Sequence, residues 1–202
     1  MYKLYDFLPS GNGYKVRLLL TQLQIPFELI ELNIVDGETR TTEFLVKNPN
    51  GKIPLLEIAP DRFISESNAI LYYLSQGTEY FPPDKYQQAQ VMQWLFFEQY
   101  SHEPNIATPR YWISILQKPE EYQEQILQKQ KLGYKALEVM EQHLKQHDYF
   151  VADKYTIADI GLYAYTHVAE AGGFDLSKFS AINSWFKRVQ SQPKHILITN
   201  NC

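Results

Sequence analysis

Asn48-Pro49-Asn50-Gly51-Lys52-Ile53-Pro54-Leu55-Leu56 is the stretch that decides how this chain folds. Asn50-Gly51 is turn chemistry, because both residues tolerate the backbone that a tight reversal needs. Pro54 stands at the mouth of an apolar run, where a residue without an N–H cannot donate to a sheet ladder. The pattern predicts a turn entering a strand, with Ile53–Pro54 a candidate cis bond. Such a bend would turn the main-chain N–H and C=O of Ile53 outward, able to pair with an extended peptide. Downstream, Ser65-Glu66-Ser67-Asn68-Ala69-Ile70-Leu71 reads as a helix start. Glu66 and Ser67 place a carboxylate, a hydroxyl and unpaired N–H groups ahead of the periodic Ile70, Leu71 and Leu74. That end suits the ammonium and carboxylate of an amino acid. The two halves together outline a pocket for a small peptide with a free N-terminus.

Working outward, the first 75 or so residues alternate strands with helices. Lys3–Phe7 reads as a strand, and Val16, Leu19, Leu20 and Leu23 then recur at helical spacing until Ile25-Pro26. Phe27–Leu32 completes a βαβ unit. Thr42–Val46 is a short helix, Leu55–Ile58 and Arg62–Ile64 form a hairpin around Pro60-Asp61, and Ser67–Ser75 is a helix. Gly77, Pro82 and Pro83 mark a linker, and everything beyond has helical rhythm. Pro104 and Pro109 are expected to bend or break the first long helix. A second helix runs from Pro119 to about His147, a third spans Thr156–Glu170, and a fourth carries Ile182, Trp185, Phe186 and Val189.

Composition limits the function classes. The chain has 202 residues, 45% of them hydrophobic, enough for one large core or two small ones. No apolar stretch approaches the roughly 18 residues of a membrane span. The start, Met1-Tyr2-Lys3-Leu4-Tyr5-Asp6, lacks the basic and apolar regions of a signal peptide. A net charge of −4 gives no general attraction to nucleic acid. The single cysteine, Cys202, allows no internal disulfide framework. These features lead us to expect a cytoplasmic protein without nucleic-acid or membrane partners. Fifteen tyrosines leave room for a polar-aromatic cavity or interface.

The order and spacing of Ile53-Pro54, Glu66-Ser67 and Thr156-Ile157-Ala158-Asp159 resemble those of the cytosolic glutathione transferases. The string from Ser67 to Leu71 is similar to bacterial and cyanobacterial, chi-like classes. The resemblance implies an α/β thioredoxin-like N-terminal domain (1–77), a linker (78–86) and an all-α C-terminal domain (87–202). It implies an enzyme that adds reduced glutathione to small hydrophobic electrophiles, with glutathione as co-substrate, no other cofactor, and a homodimer as the working form. Two other readings stay open: a glutathione-dependent disulfide reductase or peroxidase, and a non-catalytic binding module of the same fold.

The chemistry demanded is a thiolate at neutral pH, and Pro9-Ser10-Gly11-Asn12-Gly13 offers donors beside a helix N-terminus. When aligned on the strand and on Lys15-Val16-Arg17, Ser10 matches the serine of serine-type classes. Asn12 matches the asparagine of some bacterial and fungal relatives. The same residues are ordinary turn and N-cap material. Tyr5 is a third contender, which could equally pack in the sheet. Resemblance assigns the cysteinyl unit of glutathione to the main chain at Ile53 and Pro54, and the γ-glutamyl end to Glu66 and Ser67. Lys52 suits the glycyl carboxylate, with Arg40 standing where relatives place a glutamine. Tyr100, Arg110 and Tyr111 are candidates for the electrophile site, though aromatic residues at helical spacing equally serve a core. Thr156 to Asp159 is a capping box, with a structural role implied. His143 and His147 lie one turn apart but have no evident third ligand, so no metal site is expected.

Overall fold

The computed structural model describes residues 1–200, and Cys202 lies outside them. Two compact units emerge, residues 1–76 together with 193–200, and residues 77–192.

In the first unit, β1 (Tyr2–Asp6), α1 (Gly11–Gln22) and β2 (Phe27–Glu31) are followed by α2 (Thr42–Lys47), the hairpin β3 (Leu55–Ala59) and β4 (Arg62–Ser65), and α3 (Ser67–Ser75). The sheet order is β2-β1-β3-β4, with β1 parallel to β2 and β3 antiparallel to both neighbours. This is the thioredoxin-like arrangement. Period-2 alternation along β1 sends Leu4 and Asp6 to one face and Tyr5 to the other. Leu4, Leu19, Leu56, Ile70 and Leu71 are fully buried, and Tyr5 packs with Phe44 and Leu55 in a smaller cluster. β1 stops one residue short of the predicted Phe7. The Phe7 N–H donates to Asp6 Oδ1 (2.7 Å) and Ser10 N donates to Phe7 O (2.7 Å), so the chain is already turning.

The second unit is all helical. α4 (Lys85–Phe97) passes through a widened π turn (Glu98–His102) into α5 (Glu103–Arg110), and a second π turn follows (Tyr111–Ile115). The prolines expected to bend or break this helix are accommodated without a break, Pro109 inside α5 itself. Glu103 N–H bonds Glu98 O and Leu116 N–H bonds Tyr111 O, each five residues back, while Pro104 sits in the first turn of α5, where a missing N–H costs nothing. α6 (Gln123–Leu144), α7 (Ile157–Thr166) and α8 (Ser180–Gln190) complete the unit. α8 is capped from α6, because the Glu141 carboxylate accepts from the main-chain N–H groups of Ala181 and Ile182.

Both edges of the expected helical domain need correction. Tyr80 and Phe81, within the expected linker, are buried, Ile157 N–H bonds Tyr80 O (3.0 Å), and α4 starts at Lys85 under an Asp84 cap. Those residues therefore pack as part of the helical unit. Residues 193–200 leave it for the first unit, where Tyr14 Oη donates to Ile196 O and Arg17 Nη1 donates to the carbonyls of Ile198 and Asn200.

The capping box holds the helical unit together. Asp159 is fully buried. Its Oδ1 accepts from Phe150 N and Trp185 Nε1, and its Oδ2 from Thr156 N and Thr156 Oγ1. Burial nevertheless pushes its carboxyl up to about 7. An acid raised above its unfolded value near 3.9 stabilises the fold most below about pH 4, and loses that contribution as pH climbs toward 7. We predict that Asp159→Ala costs at least about 2 kcal/mol, because several buried donors lose their acceptor. Measured against the non-titrating Asp159→Asn, parent stability in urea should decline between pH 4 and 7. A pH-independent difference would mean the carboxyl does not titrate in that range.

Candidate functional site

The loop between β1 and α1 is fixed from below by a buried ion pair. Asp6 Oδ2 accepts from Arg17 Nε (2.9 Å), both side chains being wholly inaccessible. Arg17 Nη2 also donates to Leu8 O (2.7 Å). Burial lifts Asp6 to about 6 against the pull of Arg17. A Cβ on Gly13 would lie 1.6 Å from Asp6 Oδ1, so only glycine lets α1 approach the strand this closely. Ser10 is the N-cap of α1: its Oγ accepts from Gly13 N (3.3 Å). A hydroxyl that accepts in this way still has its proton to donate.

Asn12, in the first turn of α1, meets the start of α3. Ser67 Oγ donates to Asn12 Oδ1 (3.1 Å). Lys15 Nζ donates to Asn12 Oδ1 (2.8 Å), Ser67 Oγ (3.2 Å) and Asn68 Oδ1 (3.4 Å). Lys15 is fully buried, an unusual setting for an ammonium. In the sequence it stands only as a landmark beside Val16-Arg17. Its three-residue spacing from Asn12, which puts both on one helix face, was the available signal.

The Ile53–Pro54 bond is cis. Asn48 Nδ2 donates to Lys52 O (2.8 Å) on one side, and β3 begins at Leu55 on the other. Leu55 pairs with Ser65 as the last rung of the antiparallel hairpin, so Pro54 and Glu66 are the residues that leave the two strands at that same end of the sheet. Glu66 adopts φ 66°, ψ 114°, and its side chain makes no cap bond to α3. Helix capping therefore does not account for the Glu66 side chain, which is exposed. A non-glycine residue held in this region costs about 1–3 kcal/mol and marks a position that the surroundings over-determine. Arg40 Nη1 donates to Asn50 O (3.2 Å), which brings it to the same loop as the exposed Lys52.

Three walls thus gather at one end of the sheet: Ser10 and Asn12, the 50–54 loop with Arg40, and Glu66-Ser67. Tyr5 is not among them. Its hydroxyl donates to Glu57 Oε2 (2.9 Å) and its ring packs edge-on against Phe44, on the sheet face opposite Leu4.

The three helical candidates separate into two places. Tyr100 lines an open groove of about 460 Å³ with Phe97, Leu132, Lys135 and Val139. Arg110, half-buried, lies against Gly172, and burial lowers its pKa while Tyr165 acts to raise it. Tyr111 follows in the π turn. The His143 and His147 rings stack at 4.5 Å, His147 Nδ1 approaches Asp153 Oδ1 (3.2 Å), and burial lowers the His143 pKa. Among the described residues no group of three or more His, Cys, Asp or Glu is placed to hold a metal, and no helix is long and apolar enough to cross a membrane.

The models for the glutathione S-transferase N-terminal and C-terminal domains match residues 1–76 and 93–193. The chain belongs to the glutathione S-transferase family. It is similar to a glutathione S-transferase from Pseudomonas fluorescens of known crystal structure, at 49% identity and a TM-score of 0.96 over 98% of this chain and 99% of that one. A possible glutathione S-transferase from Rhodopseudomonas palustris is 47% identical, with a TM-score of 0.97 over 100% of this chain and 99% of that one. The disulfide-bond oxidoreductase YfcG of Escherichia coli is 29% identical over 208 residues, covering 96% of this chain and 92% of that protein.

The close approach at Gly13 gives a direct test of how the loop is built. Gly13→Ala should cost at least about 3 kcal/mol in urea unfolding, since the added methyl must displace a buried carboxylate. A variant as stable as the parent would show that α1 can draw back from β1.

Proposed function

We propose that the protein binds glutathione at the end of the sheet, ionises its thiol and conjugates it to small hydrophobic electrophiles. Family membership supports the reaction class, and the observation that carries the reading is the meeting of Asn12 with Ser67, next to the Ser10 cap and Glu66, at the end of the sheet where the chain leaves Pro54 for β3. A thiol of pKa about 8.5 is mostly protonated at pH 7, and bringing it two units lower takes about 2.7 kcal/mol of differential stabilisation. The Ser10 hydroxyl, the Asn12 amide and the N-terminus of α1 are donors of the kind and size required.

In this reading Glu66 receives the γ-glutamyl ammonium, and the main-chain N–H of Ser67, whose hydroxyl proton is committed to Asn12, receives the carboxylate. Ile53 and Pro54 align the cysteinyl unit, and Lys52 and Arg40 meet the glycyl carboxylate. Arg110, Tyr111 and Tyr100 are assigned to the electrophile. The working form is a cytoplasmic homodimer of the chi-like type.

A second reading is favoured by the likeness to a disulfide-bond oxidoreductase. The same activated glutathione would attack a disulfide, with Asn12 the principal donor. The attacked S–S bond breaks, one sulfur forming a mixed disulfide with glutathione and the other leaving as a thiolate, in place of a thioether.

Titrating the bound thiol by its ultraviolet absorbance tests the assignment. Ser10→Ala should raise the thiol pKa and slow conjugation of a halonitroarene roughly ten- to a hundredfold, as expected for one lost donor worth about 1–3 kcal/mol. Asn12→Ala should do less. If Ser10→Ala leaves both unchanged and Asn12→Ala abolishes them, thiol activation belongs to Asn12 and the disulfide chemistry moves to the front.

A further inference from the structure

We propose that Lys15 is a positioning residue of the glutathione site: its buried ammonium fixes the Asn12 carboxamide and the Ser67 hydroxyl, coupling recognition of the γ-glutamyl end to activation of the thiol. The inference rests on the glutathione reading above.

Burying an ammonium is costly unless its donors are matched. Lys15 Nζ has three donors, and three side-chain oxygens stand within reach, on Asn12, Ser67 and Asn68. The two closest also touch each other, Ser67 Oγ donating to Asn12 Oδ1. Nζ, Oδ1 and Oγ thus form a closed triangle of 2.8, 3.2 and 3.1 Å.

The triangle settles the orientation of both partners. An ammonium can only donate, so the Asn12 atom facing it must be the carbonyl oxygen, and the NH2 group is turned away from Lys15. That carbonyl is taken up by Lys15 and Ser67, so the orientation of the carboxamide, and with it the side on which its N–H groups lie, is set by Lys15. Ser67 gives its proton to Asn12 and accepts from Lys15, which fixes the first residue of α3, whose main-chain N–H is the donor left for the γ-glutamyl carboxylate. Asn12 belongs to α1 and Ser67 to α3. Lys15, together with the direct Ser67–Asn12 bond, therefore ties the two walls to each other.

A brace between α1 and α3 would need the same contacts, and the experiment separates the two roles. The proteins are the parent, Lys15→Met, Asn12→Ala and their double variant. Each is read by titration of the bound glutathione thiol and by calorimetric affinity for S-methylglutathione, which has no thiol to ionise. Lys15→Met should raise the thiol titration by about one pH unit and by no more than Asn12→Ala does, roughly a threefold loss of thiolate at pH 7 for a thiol that starts two units below its ordinary value, and weaken S-methylglutathione several-fold. In the Asn12→Ala background, Lys15→Met should leave the thiol titration almost unmoved, because the residue it acts through is gone.

Lys15→Met that lowers only the melting temperature, with both readouts like the parent, overturns the proposal, as does strict additivity in the double variant. If Lys15→Met does not fold, Ser67→Ala decides: coupled ends require it to shift the thiol titration as well as the affinity, and a change in affinity alone refutes the coupling. A parent that binds neither ligand removes the glutathione reading itself. A parent that binds and ionises glutathione, matched in both by Lys15→Met, refutes this inference alone.

Discussion

The buried pair of Asp6 and Arg17 is the constraint from which the rest of the site follows. Two opposite charges withdrawn from water are stable only when their remaining donors and acceptors are met. Asp6 takes the Phe7 N–H, while Arg17 reaches Leu8 O and the carbonyls of Ile198 and Asn200. One guanidinium thereby holds the end of β1, the loop after it and the returning tail. Because Gly13 lies directly over the Asp6 carboxylate, the helix start cannot slide, and Ser10 and Asn12 inherit a fixed position.

The two units use buried polar groups in different ways. Asp159 draws its donors from residues 150, 156 and 185 of the helical unit, and they account for its burial. At the end of the sheet the polar groups leave something over. Glu66 carries an unfavourable backbone without using its carboxylate in the fold. Ser10, whose Oγ accepts from Gly13 N, keeps a proton to donate. Strain and unspent hydrogen-bonding capacity gathered in one place are what a binding site shows and a folding core does not.

Local chemistry made much of this legible in advance. The Asn50-Gly51 turn, the cis bond at Pro54, the helix start at Ser67 and the capping box at Thr156 each depend on a few neighbouring residues. What depended on distant packing was hidden. Lys15 looks like any helical lysine until α3 is laid against α1. Arg17 gives no hint that it grips carbonyls some 180 residues away. Proline rules predicted a broken helix near Pro104, but a π turn supplies the missing hydrogen-bond geometry. The same widened turns shift the angular phase between Tyr100 and Arg110, so a uniform period of 3.6 cannot place them together.

The central claim is that the loop after β1 makes a thiolate of bound glutathione. Calorimetric binding of glutathione to the parent at pH 7, repeated in buffers of different ionisation enthalpy, measures the protons released on binding. A thiol that is largely protonated in water and ionised in the site should release close to one proton, while S-methylglutathione should release none. Glutathione binding with no more proton release than its S-methyl analogue would contradict the account.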